Sequence, residues 1–422
     1  MRIEPSRRRL LRSKVAWLVT SLVALVGVAG AAAASHGAGA GTGSSRIRVT
    51  SCPPRLASYA PPGSLTEAGI WSSTVKRFPT VGRLRALMLF ADFPDAPGDG
   101  SPAAYFDRVA GTIPGWIKEA SYGRLSFDLS FVDKWFRLPQ PTSSYDLRLY
   151  VDAPLRLPLI HDAVVAADPD VDFSAYPIVF IVLPERANLG SSPTVGIFPE
   201  TGIRPDGNDR FNVAVLGNDT RWTGSSELTA TTLSLAGLPW LNVQDRYGPN
   251  PVGPWDVMSL EPPGSGPLAW HRWLAGWLDR NQFVCLPRSG SITTTLTPLA
   301  RSGGLKAVVI STGASAVDVA EVREPVGTDA GLCDRGVLVY SVDARRLPFS
   351  GPIRILSAHR GQPPPDSVGA RQCGPLYNAP YDVGLGELPR FRDPYHRITI
   401  TVLAATARGY TVRVTRAGVR HQ

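Results

Sequence analysis

The amino-terminal half of the chain alternates short apolar runs with segments of helical periodicity. An apolar run with one Arg at 84–90 predicts a buried strand, and 178–183 and 211–216 predict two further short strands. Apolar residues recur at roughly helical spacing over 102–119 and 155–167, with a break at Pro114 in the first of these segments. The alternation at 121–127 predicts a further strand. Strands and helices therefore alternate, which is typical of a mixed α/β domain, predicted here over 81–284.

Beyond residue 284 the pattern changes to short apolar–polar alternations separated by turn residues. Six segments predict strands: 291–296, 307–310, 317–322, 336–342, 398–403 and 410–415. No segment with comparable helical periodicity occurs there, and 363–385 is rich in Pro and Gly, as in a long loop. The sequence therefore predicts a β-rich carboxyl-terminal domain over 285–422.

The amino terminus predicts export. Basic residues precede an uncharged stretch at 15–30, and small residues follow at 31–34, which together indicate a signal peptide over 1–34. Three alternatives stay open: an ordinary secretory signal, a twin-arginine signal containing the basic run at 6–12, and an uncleaved anchor on the outer face of the membrane. Residues 35–80 are a flexible tether and an irregular lead-in. We expect a secreted, extracellular protein.

Length and composition fit a globular protein of two domains, with 422 residues, 43% hydrophobic and 19% charged. The net charge is +9, but the first fourteen residues hold six basic residues against Glu4, a net of five. No comparable basic run recurs downstream, which argues against nucleic-acid binding.

Four cysteines in an exported chain predict disulfides rather than free thiols. None lies in a C-x-x-C spacing, which argues against a zinc knuckle. We predict the pairs Cys333–Cys373 and Cys52–Cys285, because the first closes a short loop within the β-rich domain.

Several separated segments resemble, in order and spacing, the immune inhibitor A family of secreted bacterial zinc metallopeptidases. The segments are 89–95 (LFADFPD), 119–125 (EASYGRL), 171–174 (VDFS), 237–239 (GLP), 254–259 (PWDVMS) and 276–278 (GWL). The resemblance covers about 84–415 and implies a zincin-like metallopeptidase domain. In that family a helix with the motif H-E-x-x-H continues into Gly-Leu-Pro-Asp and supplies the zinc ligands and the general base.

The zinc-binding chemistry of this family is missing. Alignment on the Gly-Leu-Pro segment places Ala230 and Ser234 at the two His positions, Thr231 at the Glu and Trp240 at the Asp. A register four residues earlier uses Glu227 as the base, but its ligand positions become Ser226 and Ala230. We therefore predict no zinc or other cofactor and no catalytic residues. By resemblance Met258 belongs to the turn beneath the zinc, and here we interpret it as a core methionine.

No replacement site is visible in the sequence. Four histidines lie outside the termini, namely His161, His271, His359 and His396, and no two are close enough to share a helix. Gly264-Ser265-Gly266 is interpreted as a turn, the aspartates at 92, 95, 172, 245 and 256 as loop caps, and the tryptophans at 255, 270, 273 and 277 as core residues.

These observations predict a pseudopeptidase that binds an extended peptide or protein in the former cleft, in a regulatory or binding role. The alternative is an active secreted metallopeptidase with a rebuilt metal site. A third hypothesis is an envelope protein that keeps only the fold. Contact with a membrane is expected only through an uncleaved amino terminus.

Overall fold

The computed structural model describes residues 79–147, 153–187, 194–196, 203–208, 211–217, 225–236, 238, 240–241, 250–259, 265–286, 289–343, 346, 351–359 and 378–418. All of them belong to one compact unit, Ile47–Gln422. The predicted signal peptide, nearly all of the tether and lead-in, Cys52 and Cys373 lie outside the described residues. Among the helices that are described, none has the length and apolar character needed to cross a bilayer.

The first sheet has five strands in the order β2-β1-β3-β5-β4. They are β1 (Gly82–Asp92), β2 (Leu125–Arg137), β3 (Ile178–Leu183), β4 (Thr194–Gly196) and β5 (Asn212–Gly217). Four of them run parallel, whereas β4 pairs antiparallel with β5 and forms one edge. Every residue of β3 is buried, as expected for a parallel strand covered on both faces.

Helices cover both faces of this sheet. The described α-helices are α1 (Pro102–Tyr105), which continues into a π-helical turn at Phe106–Ala110, α2 (Ile113–Ala120), α3 (Leu157–Ala167), α4 (Ser225–Ala236) and α5 (Ala269–Leu274). Residues of α2 and α4 share a core cluster with Met88, whereas residues of α3 pack in the opposite cluster with Leu87 and Leu89. Successive side chains of β1 therefore point to opposite faces of the sheet, as the two-residue period of a strand requires. The protein is a mixed α/β structure, as predicted.

The strand predicted at 121–127 is wrong in its first half. Residues 121–124 form a turn after α2, in which Tyr122 and Gly123 adopt positive φ angles of 54° and 77°. The Gly123 N–H donates to Lys118 O at 2.7 Å and closes the end of the helix. Because the left-handed backbone at Gly123 satisfies helix carbonyls, the strand begins only at Leu125. It then continues to Arg137, well beyond the predicted end.

Two further sheets contain the carboxyl-terminal strands. The second sheet has the order β11-β10-β9-β8-β6 and the third the order β12-β13-β14-β7. Their strands are β6 (Phe283–Leu286), β7 (Gly290–Leu296), β8 (Ala307–Ser311), β9 (Ala316–Arg323), β10 (Gly336–Asp343), β11 (Ile353–Ile355), β12 (Arg390–Asp393), β13 (Ile398–Thr406) and β14 (Gly409–Arg416). All pairings are antiparallel except β6 with β8. The six predicted strands are confirmed.

Strand β9 is buried on both faces of the second sheet. Val317 and Val319 belong to the core cluster that also holds Trp270 of α5. Ala320 and Val322 belong to a separate cluster with the third sheet. The predicted domain boundary between 284 and 285 falls within β6, and the core that contains the helices continues into the second sheet.

Neither described cysteine, Cys285 or Cys333, is a free thiol. The two pairings predicted for them involve Cys52 and Cys373, which lie outside the described residues. The pairing pattern therefore stays a prediction.

Candidate functional site

Helix α4 carries the positions at which the family resemblance places the zinc ligands. The structure places Ala230, Thr231 and Ser234 in this helix, and all three are buried. Trp240, which follows the helix, is half-buried and packs against the same core. These small residues therefore lie in the core rather than on an open surface.

The turn that contains Met258 lies against this helix. Residues Val257–Ser259 contact α4, and the Leu241 N–H donates to Met258 O at 2.9 Å. Met258 itself is fully buried, which confirms its interpretation as a core methionine. The helix and the turn thus form one packed unit.

The residues on α4 do not fit the zinc ion that the family resemblance implies. Catalytic zinc takes three side-chain ligands from His, Cys, Asp or Glu, and none of Ala230, Ser234 and Trp240 offers one. Across the described part of the chain, no three residues of these types are placed together so that they could hold a metal ion. No step of a metal-dependent reaction can therefore be derived for this helix.

A buried histidine–aspartate pair lies beside the Met258 turn. His271 of α5 and Asp256 are both completely buried, with 2.7 Å between His271 Nδ1 and Asp256 Oδ2. The same carboxylate accepts backbone N–H groups of Met258 at 2.9 Å and of Leu268 at 2.8 Å. Asp256 thus joins the Met258 turn to the start of α5, and His271 belongs to the core.

Among the described residues, no hydroxyl is hydrogen-bonded to the imidazole of His271. The hydroxyl of Ser259 donates to Gly253 O, and that of Ser265 donates to Pro254 O at 2.6 Å. His271 Nε2 is buried and makes no hydrogen bond among the described residues. A serine hydrolase needs a hydroxyl bonded to the imidazole and open to substrate, and this arrangement supplies neither.

An ionic network holds the amino-terminal end of α5 against β9. The Glu321 carboxylate accepts the Ala269 N–H at 2.7 Å and pairs with Arg323 at 3.0 Å. Arg323 also pairs with Asp329 at 2.8 Å, and Asp329 accepts the Gly266 N–H at 2.9 Å. All three ionic side chains are fully buried. Burial raises the pKa of Glu321, while the adjacent Arg323 opposes that rise.

The remaining candidate carboxylates cap loops. Asp92 accepts Gly98 N–H at 2.7 Å and pairs with Arg137, Asp95 accepts Thr142 N–H at 2.9 Å, and Asp172 accepts Ser174 N–H at 3.0 Å. The predicted capping role of these three is confirmed. Asp245 lies outside the described residues.

The tryptophan cluster is part of the core. Trp255, Trp270 and Trp277 are at most 1% exposed, and the half-buried Trp273 packs on Trp270 with 5.2 Å between ring centroids. Their predicted role in packing is confirmed.

Glu227 is the acidic residue of α4. It lies in the first turn, is half-buried, and desolvation raises its pKa to about 8. In the sequence, Glu227 is the base only in a shifted register of the family motif. Its raised pKa results from burial in the folded protein and could not be read from the sequence.

Comparison with protein-family models found no matching family, and a search among curated proteins found no match.

Proposed function

We propose that this protein is an exported, catalytically inactive homologue of the immune inhibitor A-type metallopeptidases. In this proposal it keeps a zincin-like domain and binds an extended peptide or protein segment without cleaving it. Binding takes place along the edge strand β4, where a peptide adds as a further strand.

One observation carries this proposal: the edge strand β4 contacts helix α4. A peptide that pairs with the outer edge of β4 would therefore run beside the helix on which the family resemblance places the zinc ligands. Backbone hydrogen bonds to an edge strand supply affinity and require no metal.

The side chains of α4 support the loss of hydrolysis. Peptide hydrolysis by this family requires a metal-bound water and a general base, and Ala230, Thr231 and Ser234 can provide neither. Their burial also removes them from any substrate.

Metal content and proteolysis test the inactive assignment. Purified protein is expected to contain no stoichiometric zinc and to leave casein and gelatin intact. One zinc per chain, with proteolysis that a chelator abolishes, contradicts it.

Peptide binding is tested by proline substitution in β4. Thr194→Pro and Val195→Pro remove N–H groups that lie on opposite sides of the strand, because alternate residues face opposite neighbours. The variant that removes the N–H on the outer side of β4 is expected to lose binding to a panel of extended peptides while keeping the stability of the unsubstituted protein. The variant that removes the N–H facing β5 is expected to weaken the β4–β5 pairing. Unchanged binding in both contradicts strand addition.

The second candidate function is a hydrolase with a rebuilt site, and the raised pKa of Glu227 favours it. A half-buried carboxyl with a pKa of about 8 can act as a general acid at neutral pH. Glu227→Gln distinguishes the two: abolition of a measured hydrolytic activity supports the hydrolase, and the absence of any activity in the parent supports the binding protein.

A further inference from the structure

A cavity of about 720 Å³ opens at one end of the space between the second and third sheets. Its walls come from the turn between β8 and β9, the end of β10, and the turn between β12 and β13. This sandwich-end cavity is lined by residues that include Asp318, Asp343, Phe391, Arg392, Tyr395 and His396. It lies among the carboxyl-terminal strands and shares no residue with α4.

Asp318 is a buried carboxylate on the wall of this cavity. On β9 the side chains of Val317 and Val319 face the core with the helices, so Asp318 faces the third sheet. It is 4% exposed, and its Oδ2 is buried and accepts no hydrogen bond among the described residues. Burial raises the pKa of Asp318 to about 7, and the negative charge of Asp393 adds to the rise. An unpaired buried carboxylate is costly, so a proton or another cation must compensate it.

None of the charged groups that shift the pKa of Asp318 forms an ion pair with it among the described residues. Asp393 is satisfied by the backbone N–H groups of Tyr395 at 2.9 Å and His396 at 3.1 Å, and by the His396 ring. His396 and Arg416 lower the pKa of Asp318, but neither forms an ion pair with it within the described residues. The Arg416 guanidinium instead donates to Ser311 O.

The cavity favours an organic cation over a metal ion. Asp318, Asp393 and His396 do not form a group that could hold a metal among the described residues. A planar guanidinium satisfies a carboxylate with two parallel hydrogen bonds and stacks on aromatic rings. Tyr395, which lines the cavity and is 87% exposed, presents such a ring.

We propose that the sandwich-end cavity binds the arginine side chain of a peptide or protein segment, with Asp318 as the counter-ion of the guanidinium and Tyr395 as its stacking partner. This site is separate from β4, and the inference does not rest on the proposed function.

A matched pair of peptides tests the proposal. Acetyl-Gly-Arg-Gly-amide is expected to bind the full chain at pH 8 with a Kd in roughly the millimolar range, measured by NMR titration. Its citrulline counterpart, which is nearly isosteric but uncharged, is expected to bind at least about tenfold more weakly, since it cannot compensate the carboxylate. Equal binding of the two peptides overturns the proposal.

The pH dependence adds a readout that needs no variant. The guanidinium needs ionised Asp318, which is about a tenth populated at pH 6 and about nine-tenths at pH 8 for a pKa of about 7. Affinity is therefore expected to rise about tenfold between these pH values. A pH-independent affinity overturns the assignment of Asp318.

Three variants separate Asp318 from its neighbours. Asp318→Asn is expected to keep the fold, because it replaces an unpaired buried charge by a neutral group of the same shape, and to lose both the binding and its pH dependence. His396→Gln is expected to keep the pH dependence, and Asp107→Asn, on the exposed surface near α1, to change nothing. Unaltered binding by Asp318→Asn, or displacement of the peptide by stoichiometric zinc or calcium chloride, overturns the proposal.

Discussion

Helices α4 and α5 pack in the same core but use polar residues in opposite ways. Helix α5 begins where three side chains from elsewhere in the chain meet its first N–H groups: Asp256 at Leu268, Glu321 at Ala269, and the Tyr340 hydroxyl at Trp270. Negative charge and oxygen acceptors stabilise a helix at this end. Helix α4 instead carries small hydroxyl residues that are buried, and the hydroxyl of one of them, Thr231, makes no hydrogen bond among the described residues.

The contrast concerns the ionisable groups beside the two helices. At the junction between α5 and β9, Glu321, Arg323 and Asp329 are fully buried and paired, and they hold segments together. The helix that the resemblance associates with chemistry has only Glu227. Substitutions of ionisable residues at the α5–β9 junction and on α4 should therefore change stability in opposite directions.

The largest effect is expected at the α5–β9 junction. Arg323→Met leaves Glu321 and Asp329 buried without a partner, and breaking such a pair is expected to lower the free energy of unfolding by about 3–5 kcal/mol. Urea denaturation measures the loss. Arg301→Met, which breaks the more exposed pair with Glu324, is the control and should produce a small fraction of it. Similar losses of unfolding free energy in the two variants would mean that the Glu321–Arg323–Asp329 network is exposed to solvent.

A somewhat smaller loss is expected for the link between the Met258 turn and α5. Asp256→Ala leaves the buried N–H groups of Met258 and Leu268 without acceptors, at a cost of about 3 kcal/mol in unfolding free energy. Asp172→Ala removes a cap of the same kind from an exposed loop and should change stability little. If the two substitutions proved equivalent in thermal melts, burial would not be what makes Asp256 important.

On α4, removal of an ionisable group is expected to stabilise the protein, and the size of this effect depends on pH. The folded state raises the pKa of Glu227 from 4.5 to about 8, so it binds a proton more tightly than the unfolded chain, and ionisation destabilises the fold as pH rises from 4.5 to 8. Glu227→Gln is therefore expected to be neutral at pH 4 and stabilising by about 2 kcal/mol at pH 8. This figure is reduced from the ~5 kcal/mol of the full shift because the side chain is partly exposed. Chemical denaturation at the two pH values measures it, and an equal effect at both would contradict the raised pKa.

The smallest change in stability is expected for substitutions of two neighbouring threonines of α4. Thr231 Oγ1 is buried and makes no hydrogen bond among the described residues, whereas Thr232 Oγ1 donates to Leu228 O at 2.8 Å. Thr231→Val is expected to raise the free energy of unfolding by up to about 1 kcal/mol, and Thr232→Val to lower it by a similar amount. Differential scanning calorimetry on the pair provides the measurement, and a loss in both would show that Thr231 has a partner.

The local pattern of the chain determined most of the secondary structure. The apolar run at 178–183 and the helical spacing at 155–167 coincide closely with β3 and α3. These elements were predictable because side-chain periodicity reports directly which face of a strand or helix is buried. The turn at Tyr122–Gly123 was not predictable, because the apolar–polar alternation of this segment is also typical of a strand. Only the hydrogen bond from Gly123 N–H to Lys118 O shows that the segment ends helix α2.

The sequence by itself also determined that α4 lacks zinc ligands and a general base in its expected register, since residue type alone decides which side chains can bind a metal. Tertiary structure decided what the ionisable residues do. Glu321, Arg323 and Asp329 alternate or stand apart along the chain, and only the packing of α5 on β9 makes them one network. Asp318 reads as a polar residue within an apolar strand, and only the approach of the β12–β13 turn turns it into a buried carboxylate beside a cavity. Burial and proximity set the charge state of such groups, and both arise from residues far apart in sequence.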